Sequence, residues 1–416
     1  MDIKINRSQL AALLFFVALP FNFLYSYTVA RGLLPTIPGL VGFLTYGTLS
    51  ALIVLSPTDT KIWNRRLIIV TISFLAIVLF ISIAYRTSIV VFDPVRDKEI
   101  FNYNALNVLR SLIFLLIGVH LARFRKIGKL SLLSFIAMNL MILANTNYSS
   151  LSLIMPSAEG LQGMYQFLGD TFAVVVILAV SYLKRIVVIN IVLLIGLACL
   201  FFIGSRTSLY AFVLVVCFYG LLISQNLQHP RNRVSYQFFF LVSGVLGLSF
   251  PLLYSGTNQS RMLTFLTSGF DSSWAFRNWQ LSEGLRHILE RPIFGYYGSD
   301  YLLLDRHGDY IHSYLEVWRQ FGILPFLLFL FALALTYRII WRARNSAETP
   351  EWRAAVLLMI FSSIEIAFAR TWGSPYIFMA IGLASSLDER PSTAKLASRS
   401  VIPSRPNNYS FDKVET

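Results

Sequence analysis

Apolar runs of about 20 residues recur along almost the whole chain, separated by short segments that hold most of the lysines and arginines, and few folds accept that pattern. A helical run of that length matches the hydrocarbon thickness of a bilayer. Lipid offers no hydrogen bonds, so a spanning segment must satisfy its own backbone, as a helix does. The expected fold is therefore all-α, a polytopic membrane protein with about 12 transmembrane helices. Windows of high hydropathy fall at about 10–30, 33–56, 67–85, 105–122, 131–146, 167–183, 186–203, 208–224, 235–254, 320–341, 353–370 and 373–387. A mean hydropathy of +0.63, with only 13% charged residues, puts the chain outside the range of soluble globular domains.

The net charge of +14 raises the question of nucleic acid, but the basic residues lie between apolar runs rather than along one face. They read as topology signals, and no nucleic-acid partner is expected. With the N-terminus inside, the cytoplasmic loops hold Lys61/Arg65/Arg66, Arg123/Arg125/Lys126/Lys129, Lys184/Arg185, Arg231/Arg233 and Arg338/Arg342/Arg344. Both termini are then cytoplasmic, and residues 388–416, rich in Ser and Pro, form an expected disordered tail. Lys4 and Arg7 precede an apolar run too long for a signal-peptide core, which predicts an uncleaved first helix. Cys199 and Cys217 both sit inside apolar runs and read as packing residues.

Three outer loops are expected to be long: 86–104, 146–166 and a loop of about 255–319 that interrupts the integral membrane domain of residues 1–387. Residues 151–167 and 273–290 have mixed faces and are expected to lie along the membrane surface as amphipathic helices. The long loop gathers Arg261, Arg277, Arg291, Asp309, His312 and Tyr314, and Arg206 stands at the tip of an outward turn, Gly204-Ser205-Arg206-Thr207-Ser208. Two guanidinium forks on one membrane face suit paired hydrogen bonds to a diphosphate, and an imidazole beside them suits proton removal from a hydroxyl. Arg370, near the end of the eleventh span, either pairs with Glu365 or joins that anion site. Asp305, His307, Asp309 and His312 match no zinc spacing, so no metal and no cofactor are expected.

Five pieces carry a resemblance to a known family: Gly204-Ser205-Arg206-Thr207; Phe276-Arg277; Arg291-Pro292-Ile293-Phe294-Gly295; Ile311-His312-Ser313-Tyr314-Leu315-Glu316; and Phe321-Gly322-Ile323-Leu324. In their order and spacing they resemble the bacterial O-antigen ligase and O-antigen polymerase superfamily. The family usually has Asn after the histidine, where this chain has Ser313. The resemblance implies a metal-independent, inverting glycosyltransferase whose donor is a glycan on undecaprenyl diphosphate, acting at the periplasmic side of the bacterial inner membrane. It implies that Arg206 and Arg277 hold the diphosphate and that His312 acts as general base or orients the acceptor hydroxyl; the chain's own pattern adds Arg261, Arg291, Arg370, Asp309 and Tyr314 as expected further substrate contacts. Membrane lipid, a flippase and a chain-length regulator are the implied partners.

Polymerase and ligase differ in the acceptor, another lipid-linked repeat unit or lipid A-core. The compact segment between Arg277 and His312 favours polymerase. A transporter or flippase of lipid-linked glycan is the competing class; it predicts charges at mid-membrane and related halves, whereas the charges here gather at the rim and no internal repeat is visible.

Overall fold

The computed structural model describes residues 17–35, 37, 47, 50–51, 64–88, 94–121, 127–154, 164–225, 272–299, 311–346 and 349–387. Among them the chain is helical apart from one small hairpin. The helices are α1 (Asn22–Ala30), α2 (Arg65–Ser88), α3 (Pro94–Leu121), α4 (Ile127–Ala144), α5 (Met164–Tyr182), α6 (Ile186–Ile203) and α7 (Arg206–Gln225). They continue with α8 (Ser272–Glu290), α9 (Leu315–Phe321), α10 (Ile323–Arg342), α11 (Pro350–Phe368) and α12 (Pro375–Ser385). Five of them, α2, α3, α5, α6 and α10, are long and apolar enough to cross a membrane.

Local chemistry sets the ends. Thr349 caps α11, its hydroxyl accepting from the Trp352 N–H, and Pro350 occupies the first helical position, where a missing N–H costs nothing. Asn64 caps α2 by accepting from the Leu67 N–H. Gly204 closes α6 at φ 78, a left-handed conformation that stops the helix two residues before α7 begins at Arg206.

The bundle packs through small residues and aromatic rings. Gly118 on α3 faces the Met379 carbonyl on α12, and Gly382 on α12 faces the Leu115 carbonyl on α3, so a side chain on either glycine would strike backbone. Such close approach is how helices gain contact in lipid, where burial of apolar surface gives no net drive. Phe74, Phe329, Phe378 and Trp372 form an aromatic centre joining α2, α10 and α12.

Two membrane faces follow from the connections. The outgoing ends of α2, α6 and α11 and the starts of α3, α5, α7 and α12 share one, here called the site face. At the opposite face the Asn64 N–H donates to the Ser385 carbonyl, tying the start of α2 to the end of α12. Arg65, Arg66, Lys184, Arg185, Arg338, Arg342 and Arg344 all lie exposed on that opposite side.

Several expectations are corrected. Residues 86–104 are mostly helical rather than a loop, because α2 runs to Ser88 and α3 already starts at Pro94. Leu151–Leu153 does not begin an amphipathic helix: Ser152–Leu153 pairs antiparallel with Thr146–Asn147, and helix resumes at Met164. The Asn147 carboxamide accepts from the Ser149 N–H and hydroxyl, a turn that competes with helix. The span expected at 320–341 is broken by Gly322 at φ 85, which separates the short α9 from α10. The last span is also short, 11 residues in α12. The amphipathic helix expected at 273–290 is α8. The span at 235–254, most of the one at 33–56, the loop residues 255–271 and 300–310, and the tail lie outside the described residues. Arg261 and Asp309 are among these.

Candidate functional site

Three consecutive residues at the end of α11, Phe368, Ala369 and Arg370, gather the side chains that the sequence scattered over more than 160 positions. Helix α11 ends there, so its final carbonyls have no intrahelical partner and point to the site face. Arg277, from the second turn of α8, donates through Nη1 to the Phe368 carbonyl at 3.3 Å. His312 meets the next carbonyl, with Nδ1 3.0 Å from the Ala369 oxygen. Arg370 then turns away toward α5, donating to Asp170 through Nε to Oδ2 and Nη2 to Oδ1, both at 2.8 Å.

The Asp170 fork reaches one helix further. Ser208 donates to Asp170 Oδ1 at 2.6 Å, and Ser205 and Ser208 share a hydrogen bond of 2.6 Å. These two serines flank Arg206 at the start of α7, so the arginine at the tip of the turn enters the same end of the bundle. Gly169 makes this possible, since a Cβ there would come within 2.7 Å of Ser205 Cβ and 2.8 Å of Ser208 Oγ. Glu365, one turn earlier on α11, adds a second carboxylate 3.2 Å from Arg370 Nε. Of the two roles the sequence left open for Arg370, the pairing with Glu365 is present, alongside the fork to Asp170.

That carbonyl decides the histidine's form. A carbonyl oxygen only accepts, so Nδ1 must hold the proton, which leaves the imidazole lone pair on Nε2. Burial pushes the His312 pKa down to about 4, helped by the positive charges of Arg277 and then Arg370 and opposed by the bond to Ala369. The ring is neutral at ordinary pH, an Nε2 base beside two guanidinium groups.

The loop that presents His312 is held from below. Glu316 accepts from the Ile311 N–H at 2.7 Å and from Gln320 Nε2 at 2.7 Å. The Ser313 hydroxyl accepts from the Leu315 N–H just ahead of α9. Tyr314 uses its hydroxyl on the Ser363 carbonyl at 2.7 Å, which fastens the loop to α11.

Arg291 sits in a different structure. Residues 291–295 dock against the Gly322 break: the Ile323 N–H donates to the Ile293 carbonyl, and the Tyr296 N–H to the Arg319 carbonyl. Gly295 and Gly322 have φ 71 and 85, and each sits where a side chain would strike the other strand of this clasp. The Arg291 guanidinium lies over the Tyr296 ring at 4.2 Å. The two segments 291–295 and 321–324 are thus two halves of one joint.

The structure brings Arg277, His312 and Arg370 to one segment and Arg206 to its edge through Ser205 and Ser208. It puts Arg291 in the clasp and leaves the Tyr314 hydroxyl on backbone. Sequence reasoning missed Asp170, Ser205 and Ser208. A carboxylate seven residues into an apolar helix was the available signal, because a lone charge there requires a partner. No protein-family model matches this chain, and no curated protein matches it.

Proposed function

We propose that this protein is a glycosyltransferase of the O-antigen polymerase type, joining polyprenyl-diphosphate-linked repeat units at the periplasmic face of the bacterial inner membrane. The observation that carries the reading is the Nδ1 bond of His312 to Ala369 at 3.0 Å, with Arg277 on the preceding carbonyl and Arg370 next in sequence. It sets a neutral base and cationic groups on one short segment at a membrane rim. A lipid-linked donor presents its diphosphate at that depth.

In the proposed reaction Arg277 and Arg206 bind the donor diphosphate with charge-assisted hydrogen bonds. Nε2 of His312 takes the proton from an acceptor hydroxyl as its oxygen attacks the anomeric carbon. The bond from that carbon to the diphosphate oxygen breaks on the opposite side, which inverts the anomeric configuration. Negative charge grows on the leaving diphosphate, where the arginines stabilise it. The proton on His312 then passes to water. A bound diphosphate also offsets the field of Arg277 and Arg370 on the imidazole, so His312 becomes a stronger base when the donor is present. Metal is not invoked in this scheme.

Exposed basic residues at the face opposite the site support the orientation, since cytoplasmic sides retain Lys and Arg. The charges near the site gather at helix ends, which favours surface chemistry over a transport path through the bundle. The test is incubation of the purified protein with a synthetic polyprenyl-diphosphate oligosaccharide. Lengthening of the glycan supports the polymerase reading, whereas transfer only to added lipid A-core makes it a ligase. Movement of the lipid-linked glycan across liposomes with no new glycosidic bond would overturn both.

A further inference from the structure

Helix α8 has three different faces. One face is buried: Gln280, Gly284, His287 and Ile288 pack toward α9. There a Cβ on Gly284 would overlap the Ile311 side chain. A second is charged and exposed: Arg286 bonds Glu283 at 2.7 Å and Glu290 at 2.6 Å. The third is apolar and exposed. Leu281, Leu285 and Leu289 recur every four residues along it, and Ile293 and Phe294 extend it past the helix end.

Contacts at both ends fix how the helix lies. Near its start Arg277 bonds the Phe368 carbonyl, at the site-face end of α11. Just past its end Trp318 Nε1 donates to the Pro292 carbonyl at 2.8 Å, and Ile293 bonds the first residue of α10. Helices α10 and α11 are consecutive, joined at the opposite face, so these two anchor points share one membrane face. Roughly 20 Å of helix separates residues 277 and 290, so α8 lies across the bundle end rather than along it.

The far end of the apolar stripe is about as open as the outward-facing positions of the spans, while Leu281 and Leu285 nearer its start are 37% and 42% exposed. Leu289 is 80% exposed, Phe294 77% and Ile293 64%, against 70% for Phe80 on α2. It is also continuous with such a surface: Ile293 adjoins α10, whose Leu324, Leu327 and Phe331 are exposed along a helix able to cross the membrane. A contiguous apolar patch of this kind marks a hydrophobic partner, and here the neighbouring surface already faces acyl chains.

We propose that α8 is seated in the leaflet on the site side, with Leu281, Leu285, Leu289, Ile293 and Phe294 in the acyl-chain region and the Glu283/Arg286/Glu290 face toward water. The occupant of the stripe is membrane lipid. The helix thereby sets Arg277 at headgroup depth, where an anionic lipid headgroup would meet it.

The test places a nitroxide label at single positions of the full chain, with Cys199→Ser and Cys217→Ala removing the native thiols. The protein is reconstituted into phosphatidylethanolamine/phosphatidylglycerol liposomes, and collision rates with oxygen and with a water-soluble nickel chelate are read by spin resonance. The ratio of oxygen to nickel collisions is expected to be several-fold higher for Leu289→Cys than for Glu283→Cys. Leu285→Cys should repeat the result if the first variant folds poorly. Equal ratios at both positions would place the stripe in water. Low collision rates with both reagents at position 289, together with dipolar broadening between labels, would mean that a second copy covers it. Either result overturns the proposal without touching the transferase reading.

Discussion

Two arginine centres, the clasp around Arg319 and the rim around Arg277 and Arg370, put the same side chain in opposite settings. In the clasp, Arg319 is 1% exposed and donates to His287 Nδ1 at 3.2 Å and to the Ser299 carbonyl at 2.7 Å, with Glu316 at 3.5 Å. Each of these partners belongs to a segment that the arginine joins. At the rim, Arg277 and Arg370 are only partly buried, and they meet the ends of α11, where carbonyls also hold a histidine. The clasp arginine is sealed and structural; the rim arginines stand where a ligand could reach. Residue type does not separate these two settings, and burial does.

Breaking the clasp should have the largest effect. Arg319→Ala leaves Glu316 buried without its cation, a loss of about 3–5 kcal/mol. The expected outcome is a much lower melting temperature and poor recovery of monodisperse protein by size-exclusion chromatography. Breaking the rim should instead spare the fold. For Arg277→Ala we expect transfer to fall by about 10²–10³-fold, since one charge-stabilising donor is lost, while the melting temperature changes little. Unchanged transfer would remove Arg277 from the proposed site.

Acid should act on the rim through His312. Its folded pKa of about 4 lies below the ordinary value of 6.5, so the unfolded chain binds the proton first as pH falls. The histidine therefore costs no stability above pH 6.5, and stability is lost progressively between 6.5 and 4, reaching about 3 kcal/mol. The difference in denaturation midpoint between wild type and His312→Gln should shrink over that window. Donor binding should also move the acid limb of kcat above that of kcat/KM, because the diphosphate offsets the guanidinium field.

Asp170→Asn tests whether the fork that holds Arg370 also positions the histidine. We expect a loss of about 2 kcal/mol in stability, with a fall in kcat larger than any rise in KM. The smallest effect is expected at Arg291→Ala, whose stacking on Tyr296 is exposed and contributes about 0.5–1 kcal/mol. Transfer should stay within about twofold of wild type; a large loss of transfer would return Arg291 to the anion site and blur the contrast between clasp and rim.

Much of the helical frame was legible because hydropathy over about 20 residues is a local property with one solution in lipid. The amphipathic character of α8 was legible too, since four-residue spacing is enough to define its faces. The errors came where a local signal competes with a tertiary one. Gly322 breaks a window that hydropathy reads as one span, and Ser152–Leu153 pairs into a hairpin where mixed apolar and polar faces read as the start of a helix.

By itself the sequence determined that the chain is helical and rich in segments apolar enough to cross a membrane, and it singled out the arginines and the histidine as the residues to follow. Only the tertiary structure decided which of them meet. Asp170 and Arg370 are 200 residues apart and carry no shared local pattern, yet they form the shortest bridge between α5 and the end of α11. The order along the chain cannot encode which free carbonyls a helix end will offer or which side chain will reach them. Those partners are set by where α11 stops and by the glycine gaps that let its neighbours come close.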